Sequence, residues 1–233
     1  MALRRDQQPS FFRSGLSWAR CLDDGTLTDK RRAHTDADRN EADAFVESLD
    51  PRLFGIWQDL KQFSYLSNLA YRSGHRLHHA FYGETMVLIL YRLLHLTQEN
   101  CAAGNAARLG LITFASSMLF RWEGSWQDHT RLMTRFGDAL QKLRKSSPTV
   151  TIPQPMIFWM LLMWHQMWFP GERQHDSDWL SDVINNLQIS SWDEARTMVK
   201  AVIWIDFLHD RKGEAVFLDA FTKMSPPDSQ DRS

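Results

Sequence analysis

The segment SSWDEARTMVKAVIWIDFLHDRKGEAVF, Ser190 to Phe217, constrains this chain more than any other. Ser191 or Asp193 can cap a helix, and Asp193 and Glu194 put negative charge where a helix N-terminus favours it. Apolar residues recur at Ala195, Met198, Val199, Val202 and Ile203, and Ala201 to Ile205 form an unbroken run. A helix apolar on nearly every side is a buried helix, so this one must be enclosed by others. Asp206 follows the run directly, and a carboxylate placed there needs a cationic or hydrogen-bonding partner from another element. Arg108 and Arg92, each set in an apolar helical stretch, are the candidate partners. The helix is expected to end at His209 to Lys212, with Gly213 as its C-cap.

Similar patterns fill the rest of the chain. Helices are expected at about 41–48, 52–73, 80–99, 105–123, 127–146, 155–169, 177–188, 192–209 and 213–223. Pro51, the Ser146–Pro148 stretch and Pro170 with Gly171 mark boundaries between them. No alternating strand pattern with hairpin turns is present, and no fixed-period repeat. The reading is an all-α, irregular multi-helix bundle of about eight or nine helices over 41–223. It is preceded by a flexible lead-in, 1–40, and followed by a loose tail, 224–233.

A chain of 233 residues with 43% hydrophobic content and ten tryptophans can bury a sizeable core. Its formal net charge of -1 makes it a poor ligand for nucleic-acid phosphates. Cys21 and Cys101 are the only cysteines, too few and too far apart for a zinc cluster or a disulfide scaffold. The N-terminus is broken by charge, Pro and Ser before a secretory core could form, and Asp6 opposes a mitochondrial reading of its arginines. The strongest membrane candidate, Met156 to Phe169, falls short of the ~20 residues a span needs and reads as a core helix.

Three segments, taken in order, resemble the fungal-specific transcription factor domain, the helical regulatory region found downstream of a six-cysteine zinc cluster. They are YGETMVLILYRLLHL (Tyr82 to Leu96), AARLGLITFASSMLFRW (Ala106 to Trp122) and the Ser190–Phe217 segment. The matching elements are Tyr91 to Leu94, Arg108 to Gly110, and Trp204 to Asp210, and the likeness spans roughly Pro51 to Phe217. The resemblance implies a regulatory domain that modulates RNA polymerase II transcription in the nucleus, not an enzyme. It implies protein partners, either a DNA-bound factor or a second copy in a homodimer, and allows a small-molecule effector. A zinc cluster cannot be built from two cysteines, so DNA contact would come from a partner or from a segment outside this chain. A truncated product of a longer zinc-cluster protein fits equally.

The residues offer no catalytic apparatus, and no catalytic, cofactor-binding or metal-binding residue is assigned. His75, His78 and His79 have helical zinc spacing in part, but Ser73 and Gly74 end the preceding helix and no acidic ligand follows, so a polar turn is the better reading. Asp206, His209 and Asp210 share a helical face and read as an ion-pair lock for helix packing, since no nucleophile accompanies them. Met156, Met160, Met163 and Met167 form one stripe with Trp164 beside it, a core pattern first and a ligand-lining one second. A ligand-binding relative of the domain would place its cavity there, with His165 as a polar contact. Lys30 to Arg32 could serve nuclear import, but flanking aspartates make them a solvated loop. Lys142, Arg144 and Lys145 close a helix whose dipole suits them.

Overall fold

The computed structural model describes residues 40–74, 79–97, 101–119, 130–145, 151–167 and 177–224. Among the described residues the chain forms nine α-helices and no strand: α1 (Glu41–Leu49), α2 (Pro51–Arg72), α3 (His79–His95), α4 (Ala102–Leu119), α5 (Thr130–Lys145), α6 (Gln154–Met167), α7 (Ser177–Asn186), α8 (Trp192–Val202) and α9 (Asp206–Met224). The all-α bundle expected from helical periodicity is what forms.

Local chemistry sets the boundaries. Asn40 and Asp43 make a reciprocal capping box at the start of α1, with the Asp43 N–H donating to Asn40 Oδ1 at 3.0 Å and the Asn40 N–H donating to Asp43 at 3.2 Å. Asp50 ends α1 and caps α2, accepting from the Arg52 N–H at 2.7 Å, and Pro51 supplies a first helical position that lacks a donor. Ser191 caps α8, while Glu194 reaches back to the Ser190 N–H at 2.8 Å. Gly74, in the left-handed region at φ 70°, follows α2.

Helix α6 is the axis of the bundle. It is apolar all round and packs against α4, α5, α7, α8 and α9. Met156, Met160 and Met163 are fully buried and Met167 nearly so, which makes the methionine stripe core. Trp159 lies at the centre, edge-on to Trp57 at 6.4 Å between ring centroids and tilted against Phe114 at 6.2 Å. Helix α5 is the opposite case: Leu132, Met133, Phe136, Ala139, Leu140 and Leu143 face inward and its charges face water. No described helix is long and apolar enough to cross a membrane.

The last two helices depart from expectation. Instead of one helix over 192–209, the chain leaves α8 at Val202, runs extended through Ile203 (φ -151°, ψ 124°), and re-enters a helix at Asp206. Ile203, Trp204 and Ile205 are all buried. A short apolar run reads alike as buried helix or buried extended chain, and here the extended form wins because neighbouring side chains satisfy the backbone groups that the break exposes. Asn40 donates to the Ala201 carbonyl, Trp159 Nε1 to the Ile203 carbonyl at 2.8 Å, and Asn68 to the Trp204 carbonyl at 2.8 Å. The Ile205 and Asp206 N–H groups donate to His209 Nδ1 at 3.2 Å and Asn68 Oδ1 at 2.9 Å.

Gly213 is therefore no C-cap. It lies inside α9, where a Cβ would meet Trp192 Cη2 at 2.8 Å and Trp204 Cη2 at 2.9 Å. Gly to Ala in a helix normally gains about 1 kcal/mol. Here overpacking outweighs that gain, so Gly213→Ala should lose about 1–2 kcal/mol and lower Tm by about 2–8 °C. Gly55→Ala in α2, where a Cβ meets nothing within 4 Å, should raise Tm instead. Thermal unfolding of the two variants side by side checks the assignment, and a stabilised Gly213→Ala protein contradicts it.

Candidate functional site

Asp206 is the centre of the most charged cluster in the described fold. Its Oδ2 accepts hydrogen bonds from Arg72 at 2.9 Å and Lys200 at 3.0 Å and pairs with the Arg196 guanidinium at 3.1 Å. Arg196 also pairs with Asp210 at 2.8 Å, whose other oxygen accepts from Trp204 Nε1 at 2.7 Å. The ion-pair lock expected on this face exists, but its cations come from α2 and α8 rather than from Arg92 or Arg108. Arg92 instead meets Asp59 at 3.5 Å in the interior, and Arg108 donates to the Leu93 carbonyl at 3.1 Å. Both of those arginines lie in the first half of the bundle, where the carboxylate and carbonyl nearest them are local. Arg196 and Lys200, one turn apart on α8, were the legible signal for the true pair.

His209 does not join this cluster. It turns inward, 2% exposed, between Phe114 and Trp204 at ring distances of 5.1 and 5.0 Å. Because Nδ1 accepts the Ile205 N–H, the ring proton sits on Nε2, which lies 2.9 Å from Ser117 Oγ; that hydroxyl in turn donates to the Phe114 carbonyl at 2.7 Å. This histidine is a strut between α4 and the α8–α9 junction.

The charges around Asp206 set its titration. Burial pushes its carboxyl up, but hydrogen bonds from Lys200 and Arg72 and the charges of Lys200 and Arg196 outweigh that and hold it below the ordinary value of 3.8. A carboxyl depressed in the folded state adds stability above its unfolded pKa, near pH 4, and loses it as pH falls through the folded value. Wild-type stability should therefore decline below about pH 4, and Asp206→Asn should flatten that decline. Urea unfolding at a series of acid pH values checks this; parallel curves for the two proteins would show that Asp206 contributes nothing to the slope.

Beside the cluster runs a groove of about 540 Å³ between α2 and the end of α8. Lys61, Tyr65, Leu69 and Arg72 line it from α2, and Lys200 and Trp204 line the far side. Asn40 and Asn68, which hold the extended linker, border it too. The ligand-lining reading of the methionine helix placed its cavity elsewhere, at Met160, Met163 and Trp164. Met160 and Met163 are fully enclosed, and Trp164 is tied to the Met133 carbonyl at 3.0 Å.

Of the other sequence candidates, His75 and His78 lie outside the described residues, as does the side chain of His79. So do Cys21, Lys30 to Arg32, the lead-in 1–39 and the tail from 225. Among the described residues no group of three or more His, Cys, Asp or Glu side chains could hold a metal ion. Cys101 is a free thiol whose sulfur accepts the Gly104 N–H at 3.3 Å at the start of α4.

Compared with family models, curated proteins and solved structures, the chain matches none.

Proposed function

We propose that this protein is a non-enzymatic regulatory module that modulates RNA polymerase II transcription in the nucleus through protein partners. The reading rests on the resemblance of three ordered segments to the fungal-specific transcription factor domain. One observation supports it: those segments contribute to a shared core. Leu90 and Leu93 of α3, Leu109 and Ile112 of α4, and Val199, Ile205 and Phe217 of the last segment belong to the same buried cluster. Side-chain bonds cross between the segments as well, from Arg108 to the Leu93 carbonyl and between His209 and Ser117. Segments that interlock in this way form one shared interior and leave the outer faces for partners.

The test is to fuse the full chain to an unrelated DNA-binding domain and read a reporter in fungal nuclei. A several-fold change in transcription, abolished by a core substitution such as Trp159→Ala, is the expected result. A folded, nuclear fusion that leaves the reporter unchanged would overturn the proposal.

A further inference from the structure

The groove beside Asp206 has a composition that specifies an occupant. Lys61, Tyr65, Leu69 and Arg72 follow one another at four, four and three residues, so they form a single stripe along α2, about 16 Å long. Cations stand at its ends and apolar groups in its middle. Tyr65 is 52% and Leu69 47% exposed, high values for large side chains, both in the C-terminal half of a 22-residue helix. Trp204, Val202 and Ile203 form the opposite wall, and Lys200 joins Arg72 at one end.

The lining holds three cations and no carboxylate. At the Arg72 end Asp206 and Asp210 pair with Arg72, Arg196 and Lys200, and Asp193 acts on Arg196 as well, but none of these acids lines the groove, and the Arg72 side chain is 62% exposed. At the other end Lys61 is paired with Asp43 at 2.9 Å, so that end is neutral but still offers a partly exposed ammonium. Ser64, which also lines the groove, is 4% exposed, and its hydroxyl has no hydrogen-bond partner among the described residues.

From these features we infer that the groove docks an acidic peptide segment of a partner protein, with two apolar anchors seated on Tyr65 and Leu69 and a carboxylate directed at Arg72 and Lys200. The length matches about ten residues of helix or about five of extended chain. Charge complementarity of this kind steers association and fixes register, while the buried anchors supply most of the affinity. The inference deepens the regulatory proposal, since it names the chemistry of the partner that such a module would engage.

The test is panning of a random library of peptides, about twelve residues long, against the full chain, followed by fluorescence anisotropy on the selected peptides. Selected sequences should share acidic residues flanking two apolar anchors, and their binding should weaken as salt rises. Leu69→Glu, on the solvent side of α2, should weaken binding about tenfold or more while leaving the circular dichroism melt in place, and Arg72→Gln, which also takes one of three cations from Asp206, should weaken it as much with a small drop in the melt. Leu218→Glu, an equally exposed apolar position on α9, should leave binding unchanged. A consensus that is basic or lacks anchors, no selected binder at all, or equal losses from the α2 and α9 substitutions would each overturn the inference. If the peptides bind as described but the tethered reporter is silent, the transcriptional proposal fails and the groove assignment stands.

Discussion

Replacing Arg92 with Met should remove about 3 kcal/mol of folding stability, because it takes an enclosed cation away from a carboxylate in the interior. Asp59 on α2 is fully buried and its Oδ2 lies 3.5 Å from Arg92 Nη1 on α3. The guanidinium is also enclosed, so water screens the pair little. Taking both charges out of water is itself costly, which separates what the pair adds from what its breakage costs. The double variant Asp59→Leu with Arg92→Met should recover most of the loss. At roughly 2–4 °C per kcal/mol, the single variant should melt at least about 6 °C below wild type. Calorimetry on the wild type, single and double variants measures this directly. A single-variant loss under about 1 kcal/mol would show that the carboxylate is satisfied without Arg92.

Truncating Trp159 to Ala should be at least as severe, at about 3–5 kcal/mol, with about 1 kcal/mol more from the carbonyl it abandons. The indole is fully buried on α6, its ring lies 3.0 Å from where a Cβ on Gly110 would sit, and its Nε1 donates to the Ile203 carbonyl. Packing and hydrogen bonding can be told apart with Trp159→Phe, which keeps much of the ring volume and removes the donor. That variant should lose markedly less than Trp159→Ala, and its added hydrogen exchange should concentrate at 203–206, where the extended linker is released. If exchange rises evenly over the whole bundle, the indole is filling space and not holding the linker.

These two substitutions test different layers of one arrangement. Arg92 and Asp59 join α2 to α3, whereas Trp159 joins the central helix to the α8–α9 junction. That junction in turn forms one wall of the groove, so any loosening of Ile203 to Asp206 should reach the proposed docking surface. Asn68 links both, since it holds the Trp204 carbonyl and the Asp206 N–H while lining the groove.

Most of the helices were legible because their apolar spacing, caps and prolines all point the same way. The start of α2 follows from Pro51, and the enclosure of α6 follows from its having no polar face. What sequence could not settle was which of several nearby and distant cations answers a buried acid. Asp206 visibly needed cations, but the choice of Arg72, Arg196 and Lys200 over Arg92 and Arg108 is a matter of which helices meet.

The break at Ile203 to Ile205 and the role of Gly213 belong to the same class. A run of Val, Ile, Trp and Ile sits as comfortably in a buried helix as in a buried extended strand, so the local chain carries no preference strong enough to decide. The decision comes from Asn40, Asn68, Trp159 and His209, distant in sequence, which supply the hydrogen bonds that an interrupted helix forfeits. By itself the chain determined that helices form, which are buried, and that an acid near its end must be neutralised. Only the tertiary structure decided where the last helix breaks, which cations answer the acid, and that a charged, apolar-floored groove opens beside them, because each depends on side chains brought together across the bundle.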